Sequence, residues 1–321
     1  MNKRLTIPLN WYQSTLDMLE QQIIEQHLGQ TLLFDYDEGG AAVEIANWTA
    51  TRLLCQSDTT NKPCGYCHSC KMMSAHSHSD FYLLEPSAVS IGVDQVRALQ
   101  EWAVQTPSHG RAKVTVISQV GKLTTAAANA LLKVLEEPKA HSYFILLKPR
   151  QTALLATILS RSQRLIIHAP DPNQALGWLQ QQLPDTPNTL QQLALHWLND
   201  ANQVCDFLHA DGAKQIEQFC QAFNTLIQQG NIEPLHEQIS THRDQLQWLG
   251  QVLIDSMHTK LTTEQLAGPS VAHLDSLQLM GCYQQFVDLQ QQLNTNVALN
   301  LSLQLYPLLL NLIETEEPSA H

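Results

Sequence analysis

The sequence lacks an excess of positive charge. Among 321 residues, 18 lysines and arginines stand against 30 aspartates and glutamates, and the formal net charge is −12. A protein that binds DNA or RNA by itself usually presents a basic surface, because neutralising phosphates dominates its affinity. The composition therefore argues against strong autonomous nucleic-acid binding and leaves room only for a local basic patch.

Long apolar runs are also missing. No uninterrupted stretch approaches the length needed to span a bilayer. No long apolar segment follows the start, Met1 to Pro8, as it would in a signal peptide. We therefore expect a cytoplasmic protein without membrane association. A chain of 321 residues is too long for one ordinary hydrophobic core, so two or three domains are expected.

Cysteine is scarce, with seven residues in the chain, yet four of them fall close together. Cys55, Cys64, Cys67 and Cys70 contain a double C-x2-C, a spacing that lets thiolates converge on one soft cation. Four sulfurs complete a tetrahedral Zn2+ shell and leave no open position. We therefore predict a structural Zn2+ site rather than a catalytic one.

The cysteine cluster admits other assignments. An iron–sulfur centre uses a similar spacing, although its fourth cysteine usually follows the motif. A disulfide would need an oxidising compartment, and His76 or His78 lies close enough in the sequence to replace one cysteine. Taken alone, the cluster also suggests a zinc-dependent nucleic-acid-binding module, which the net charge disfavours.

Strand and helix patterns alternate through about residue 168. Apolar or β-branched runs predict strands at 31–34, 81–84, 112–117, 143–147 and 164–167. Helical spacing predicts helices over 11–30, 41–54, 93–104 and 123–137. This alternation predicts a parallel α/β sheet. After a linker at 169–172, the pattern predicts only helices, over 174–183, 190–198, 201–210 and onward to Glu314.

The segment that would bind nucleotide phosphates lacks the residues for that task. The predicted strand, turn and helix at 31–54 occupy the place of a P-loop, which needs Gly-x-x-x-x-Gly-Lys-Ser/Thr. No lysine occurs from residue 5 to residue 61. Three acids, Asp35, Asp37 and Glu38, are expected to crowd the phosphate position and to repel ATP.

The residues that would hold Mg2+ are missing too. A Walker B strand ends in Asp, usually followed by Glu, whereas the predicted strand ending at Ile117 continues into Ser118 and Gln119. A hydroxyl or an amide does not replace a carboxylate as a Mg2+ ligand of useful strength. These two independent losses predict no productive ATP binding and no ATP hydrolysis by this chain.

One segment resembles a known family. Leu123 to Pro138, with the sequence LTTAAANALLKVLEEP, closely resembles the motif between Walker B and sensor 1 in bacterial clamp-loader subunits, which are AAA+ proteins of DNA polymerase III. Ser90 to Arg97 and Ser160 to Ser162 fit the same family, and the region 294–303 resembles its last collar helix. The resemblance covers nearly the whole chain and is most specific through about residue 168.

The resemblance implies an AAA+ fold in three parts. These are a RecA-like parallel-sheet domain with the zinc-binding insert over 1–168, a small helical lid over 169–210, and an all-α collar for oligomerisation over 211–321. It implies a non-catalytic stator of the sliding-clamp loader that assembles with the motor subunits (tau/gamma) and the delta subunit. Through that complex the chain would serve the sliding clamp and primer–template DNA. The resemblance makes the chain a subunit of a DNA-directed DNA polymerase without giving it polymerase or ATPase activity.

The resemblance also assigns one functional arginine. Arg161 lies in Ser160-Arg161-Ser162, where the family pattern is Ser/Thr-Arg-Cys, and would act in trans as an arginine finger on the γ-phosphate of a neighbour's ATP. Lys148 stands near sensor 1, where a small polar residue is usual. In the competing interpretation, Arg161 or Arg164 merely pairs with a surface acid. A motor-type P-loop ATPase and a zinc-dependent nucleic-acid-binding module remain the alternative functions.

Overall fold

The computed structural model describes residues 8–57, 62–109, 111–261, 268–271, 273–295 and 300–313. Contacts between residues divide the chain after Pro172 into two compact units, here called the α/β unit and the helical unit. None of the helices in the described residues is both long and apolar enough to cross a membrane.

Strands and helices alternate in the α/β unit, as predicted. The strands are β1 (Thr31–Tyr36), β2 (Phe81–Leu84), β3 (Lys113–Ile117), β4 (Ser142–Pro149) and β5 (Gln163–Ile167). The helices are α1 (Gln13–Ile24), α2 (Ala42–Leu54), α3 (His68–Ser74), α4 (Val93–Ala103), α5 (Thr125–Glu136) and α6 (Ala156–Leu159).

The five strands form one parallel sheet in the order β2-β3-β4-β1-β5, which confirms the predicted α/β class. β1 and β4 lie side by side, with Asp35 opposite Lys148. From the end of β1 the chain continues to β2 on one side, whereas from the end of β4 it continues to β5 on the other. Open α/β sheets bind ligands at the carboxyl ends of strands where the strand order reverses in this way. The expected nucleotide position is therefore the end of β1 and β4.

The core of the α/β unit positions α5 against the sheet. Ala127, Leu131 and Leu135 recur at helical spacing and are buried in one cluster with side chains of β1, β3 and β4. Thr124 begins the helix, because its side chain accepts a hydrogen bond from the Ala127 N–H at 3.2 Å. The buried Leu135 packs the other end of the helix, where Glu136 lies, into this core.

The helical unit contains only helices among its described residues, as predicted. They are α7 (Pro172–Gln182), α8 (Asn188–Leu198), α9 (Ala201–His209), α10 (Gly212–Gln229), α11 (Glu233–Thr241), α12 (Gln245–Leu261), α13 (Ser276–Thr295) and α14 (Leu301–Asn311). An aromatic cluster lies in its core. Trp197 stacks on Trp248 with ring centroids 5.2 Å apart, and Phe219 meets these two rings edge-on at 5.4 and 5.5 Å.

Some element limits differ from the prediction. α1 ends at Ile24 instead of near residue 30, because Gln26 takes a positive φ of 59° that a helix does not allow. Pro172, the last residue of the predicted linker, is the first residue of α7, a position where proline loses no helical hydrogen bond. The short helices α3 and α6 were not predicted. Residues 296–299 of the region that resembles a collar helix lie outside the described residues, and the division into lid and collar stays a prediction.

Candidate functional site

The four predicted metal ligands come together in the α/β unit. Cys55 follows α2 directly, Cys70 lies in α3, and Cys64 and Cys67 lie between the two helices. All four sulfurs lie within 4.8 Å of one another, with 4.0 Å between Cys55 and Cys67 and 3.9 Å between Cys64 and Cys70. Around a tetrahedral ion with Zn–S bonds of about 2.3 Å, sulfurs stand roughly 3.8 Å apart. The donor set therefore fits a single Zn2+-sized ion.

The sulfur distances separate the alternatives to zinc. A disulfide requires sulfurs about 2.0 Å apart, and the four cysteines are free thiols. An iron–sulfur cluster places its thiolates on different irons, so it needs a wider separation than a single ion does. Within the described residues, the group of candidate ligands includes neither His76 nor His78.

Backbone N–H groups surround the sulfurs. The N–H of Cys64 donates to Cys55 Sγ at 3.5 Å, that of Cys67 to Cys64 Sγ at 3.4 Å, and that of Cys70 to Cys67 Sγ at 3.4 Å. Gly65 supplies the positive φ, 78°, that the tight turn needs. Burial opposes ionisation of Cys67, but hydrogen bonds from backbone and neighbouring thiols outweigh it and lower its pKa to about 6. Burial and the neighbouring thiols instead raise the pKa of Cys70, so the thiolate, the form that binds metal, is favoured at Cys67.

The expected nucleotide position carries a group of ions, here called the ion triad: Asp35, Lys148 and Arg164. Asp35 in β1 is 0 % exposed. Lys148 Nζ from β4 lies 2.8 Å from Asp35 Oδ1, and the guanidinium of Arg164 from β5 contacts Oδ2. A buried carboxylate is costly unless it is paired, and here two cations from the adjacent strands pair with it.

Lys148 also organises the chain that follows β4. Its ammonium donates to the carbonyl oxygens of Pro149, Arg150 and Thr152 at 3.1, 3.2 and 3.0 Å. An ammonium has three N–H donors, so these carbonyls take its hydrogen bonds and Asp35 is held mainly by charge. The position that resembles sensor 1 therefore has a structural role in this chain.

The turn between β1 and α2 satisfies its own N–H groups. The N–H of Gly40 donates to the Asp37 carbonyl at 2.9 Å, that of Ala42 to the Gly40 carbonyl at 2.8 Å, and that of Ala41 to the Tyr12 hydroxyl at 3.2 Å. In a P-loop, N–H groups at this place bind phosphate oxygens. Three of them are already occupied here.

The expectation that three acids crowd the phosphate position was wrong. Asp35 is buried in the ion triad, and Asp37 pairs with Arg150 at 3.1 Å and with His168 at 3.0 Å. Of the three acids, only Glu38 is exposed. The chain fills this position with its own ion pairs, and it does not present the cluster of uncompensated negative charge that the sequence suggested.

Arg161 lies just after α6, and its side chain is 36 % exposed. Its Nη2 donates to Glu136 Oε1 at 2.9 Å, and its Nη1 donates to the Thr157 carbonyl at 3.0 Å and weakly to Ser160 Oγ at 3.5 Å. Arg161 thus does pair with a surface acid, as in the competing interpretation, whereas the acid that Arg164 contacts is buried. Exposed ion pairs contribute only about 0–1 kcal/mol. Glu136 therefore orients the guanidinium of Arg161 but binds it weakly enough for a more highly charged anion to displace it.

Sequence reasoning missed Glu136 and the pairing within the ion triad. A signal for the triad was present, since Asp35 and Lys148 are each the first charge after an apolar strand run. Opposite charges on adjacent buried strands tend to pair. The strand order that makes β1 and β4 adjacent was needed to use that signal.

The sequence similarity to known proteins extends over both units. The family described as "DNA polymerase III, delta subunit" matches residues 11–171. The DNA polymerase III subunit delta′ of Escherichia coli K12 is 31% identical over 282 residues, covering 83% of this chain and 83% of that protein. The chain belongs to the DNA polymerase III delta-prime family.

Another delta-prime protein is more similar over a shorter stretch. The delta-prime subunit of Haemophilus influenzae is 41% identical over 160 residues, and this match spans about half of each protein, 49%. The predicted metal ligands and Arg161 all lie within the range of the delta-prime family match, 11–171.

A solved structure has the same fold as this delta-prime family member. The DNA polymerase III gamma subunit-related protein of Thermotoga maritima superposes with a TM-score of 0.52 at 18% identity, covering 92% of this chain and 97% of the other. This similarity confirms the predicted fold, with a parallel sheet followed by a helical region.

Proposed function

We propose that the chain is a non-catalytic stator of the sliding-clamp loader and that Arg161 acts in trans on ATP bound by a neighbouring motor subunit. One observation carries this proposal: the nucleotide position is filled by the ion triad, while a partly exposed arginine is held in the same unit. Membership of the delta-prime family supports the clamp-loader context.

The contacts of Arg161 suit it to this role. A guanidinium has five N–H donors, and within the described residues Glu136, Thr157 and Ser160 accept hydrogen bonds from its two terminal nitrogens. These contacts hold the side chain near one orientation without burying it. A γ-phosphate that gains charge during transfer competes well with a single exposed carboxylate, and the arginine then stabilises the transition state.

The partners that this role requires are the tau/gamma motor subunits and the delta subunit. The chain would meet the sliding clamp and primer–template DNA through that assembly. Its own nucleotide position is not expected to bind ATP productively, because the ion triad and the turn's own hydrogen bonds occupy the groups that would hold phosphate.

We also propose that the four cysteines hold a structural Zn2+. The ion would join the end of α2, at Cys55, to α3, at Cys70, and would stabilise the intervening loop. Metal analysis of the purified chain should give one zinc per chain. Iron with visible absorption, or no metal at all, would overturn this assignment.

Reconstitution with motor and delta subunits tests the arginine finger. The purified chain should not turn over ATP, and the mixture should show ATPase activity that DNA and the clamp stimulate. Arg161→Ala should assemble normally and slow hydrolysis at the neighbouring site by about 10³-fold, at the lower end of what such arginines supply. In single-turnover phosphate release, the slowed site should appear as a separate slow phase.

The matched control is Arg97→Ala, which removes another exposed arginine, paired with Asp94 at 3.0 Å. It should leave the rate unchanged. An unchanged rate of ATP hydrolysis in an assembled Arg161→Ala complex would contradict the proposed role of Arg161. ATP turnover by the pure chain would favour a motor-type ATPase instead, and tight, salt-sensitive DNA binding would favour a nucleic-acid-binding module.

A further inference from the structure

We propose that Asp35 is a positioning residue that holds both ends of the chain segment presenting Arg161. This segment runs from Lys148 to Arg164 and is here called the finger segment. Both of its terminal residues contact the Asp35 carboxylate, one on each oxygen. The inference rests on the proposed role of Arg161 and adds the residues that fix its location.

The start of the finger segment is fixed through Lys148. Its ammonium lies 2.8 Å from Asp35 and donates to three carbonyls of the next four residues. The N–H of Thr152 also donates to the Pro149 carbonyl at 2.9 Å. The chain therefore leaves β4 in one defined direction toward α6.

The end of the finger segment is fixed through Arg164, which follows Arg161 by three residues and contacts Asp35. Between them, the Ser162 hydroxyl donates to the Ile158 carbonyl at 2.7 Å, and the N–H of Arg161 donates to the same carbonyl at 3.2 Å. Ser162, which stands where the family pattern has cysteine, thus supports the turn that carries the arginine.

Stability alone does not account for a carboxylate at position 35. The residue is 0 % exposed, and well-packed apolar residues usually replace a buried ion group without loss of stability. A buried group of opposite charges instead fixes one arrangement of the elements that carry them. Here those elements are β1, β4 and β5, and the last two border the finger segment.

The most direct test is Arg164→Ala in the reconstituted complex. The side chain of Arg164 is 56 % exposed, so its removal leaves no cation buried and Asp35 keeps Lys148. We expect kcat at the neighbouring ATP site to fall about tenfold, within the ~10²-fold that a 1 Å misplacement of a catalytic group can cost. The KM for ATP and the mass of the complex should not change. Arg164→Lys should recover most of the rate.

A double variant separates positioning from other effects. If Arg164 acts only through Arg161, then Arg161→Ala with Arg164→Ala should be no slower than Arg161→Ala alone. The paired replacement Asp35→Leu with Lys148→Met removes the buried charges together, and it should fold and also lower kcat about tenfold. Arg97→Ala serves again as the control.

The outcomes distinguish the positioning role of the ion triad from the proposed role of Arg161. A normal rate for Arg164→Ala beside a slow Arg161→Ala would overturn the positioning role and leave the proposed function standing. A normal rate for Arg161→Ala would overturn the proposed function itself. If Arg164→Ala still slows a complex that already lacks Arg161, Arg164 does not act through Arg161 and the inference is overturned. If both Arg164→Ala and the paired replacement fail to assemble, the ion triad has a general structural role and the inference is also overturned.

Discussion

The two units carry charge very differently. Residues 6–172 contain thirteen lysines and arginines and fifteen aspartates and glutamates, a net charge of −2, whereas residues 173–321 contain three and fifteen, a net charge of −12. Lys3 and Arg4, which lie outside both ranges, bring the whole chain to −12. Most of the excess negative charge of the chain therefore lies in residues 173–321. The excess of acidic residues therefore disfavours autonomous nucleic-acid binding by residues 173–321 far more than by residues 6–172.

The units also differ in the interactions that hold them. The α/β unit buries ions: the ion triad and a second pair in which Arg52 donates to both carboxylate oxygens of Glu20 at 2.8–3.0 Å. It also gathers the four cysteines. The helical unit instead packs Trp197, Trp248 and Phe219 together. The α/β unit therefore combines its apolar core with metal ligands and buried charges, whereas the described part of the helical unit packs around aromatic rings.

Metal removal should produce the largest difference between the units. Structural Zn2+ binds with about 10–16 kcal/mol of free energy, much of which becomes folding free energy. Cys70→Ser, at a position 1 % exposed, should lose the metal and greatly speed hydrogen exchange in peptides around α2 and α3. Peptides of the helical unit should exchange as before.

Cys220→Ser, in the helical unit, is the matched control and should retain the metal. A chelator should reproduce the effect of Cys70→Ser in the wild-type chain. Unchanged exchange around α2 and α3 after the metal is gone would contradict a structural role for the ion.

Loss of an aromatic ring should affect only the helical unit. Trp248 is 3 % exposed, and Trp248→Ala leaves a cavity beside Trp197 and Phe219. Truncation of a buried tryptophan costs about 3–5 kcal/mol. Hydrogen exchange should therefore accelerate in α8, α10 and α12 while the zinc content stays constant, and Trp248→Phe should cost less. Loss of zinc from Trp248→Ala would show that the aromatic cluster of the helical unit also affects the stability of the α/β unit.

The charged core of the α/β unit should respond in a way that an apolar core does not. Asp35→Asn leaves Lys148 buried without its counter-ion, a change that costs about 3–5 kcal/mol in comparable pairs. The larger double change, Asp35→Leu with Lys148→Met, should cost less, because no charge stays buried, even though three carbonyls lose their hydrogen bonds from Lys148. Urea unfolding measures both. Equal losses for the two variants would show that packing, not charge, decides stability at this position.

The sequence predicted local elements better than the contacts between them. The β2 limits are those predicted, and both ends of α5 lie within two residues of the predicted limits, because apolar spacing and capping chemistry act over a few residues. The cysteine group was also predictable, since its ligands are close in sequence. The ion triad joins positions 35, 148 and 164. Its formation depends on strand order and register, which local patterns do not contain.

The smallest expected effect concerns Asp37, at the edge of the same site. Partial burial raises the pKa of its carboxyl, but hydrogen bonding with His168 and the charge of Arg150 outweigh this, so the pKa is lowered overall. A carboxyl with a lowered folded-state pKa adds stability above its unfolded value, about 3.9, and this stability is lost as the pH falls through the folded value.

Asp37→Asn should therefore cost less than about 1 kcal/mol at pH 7, since the side chain is 32 % exposed and solvent screens its pairs. The difference from the wild type should narrow as the pH falls below about 4. High salt should reduce it further, because the Debye length falls to about 3 Å at 1 M. Urea unfolding across these conditions measures the difference. A cost as large as that of Asp35→Asn, or one that salt does not change, would contradict this expectation. Asp37 would then belong with the ion triad as a structural charge and would not be a solvent-screened surface ion.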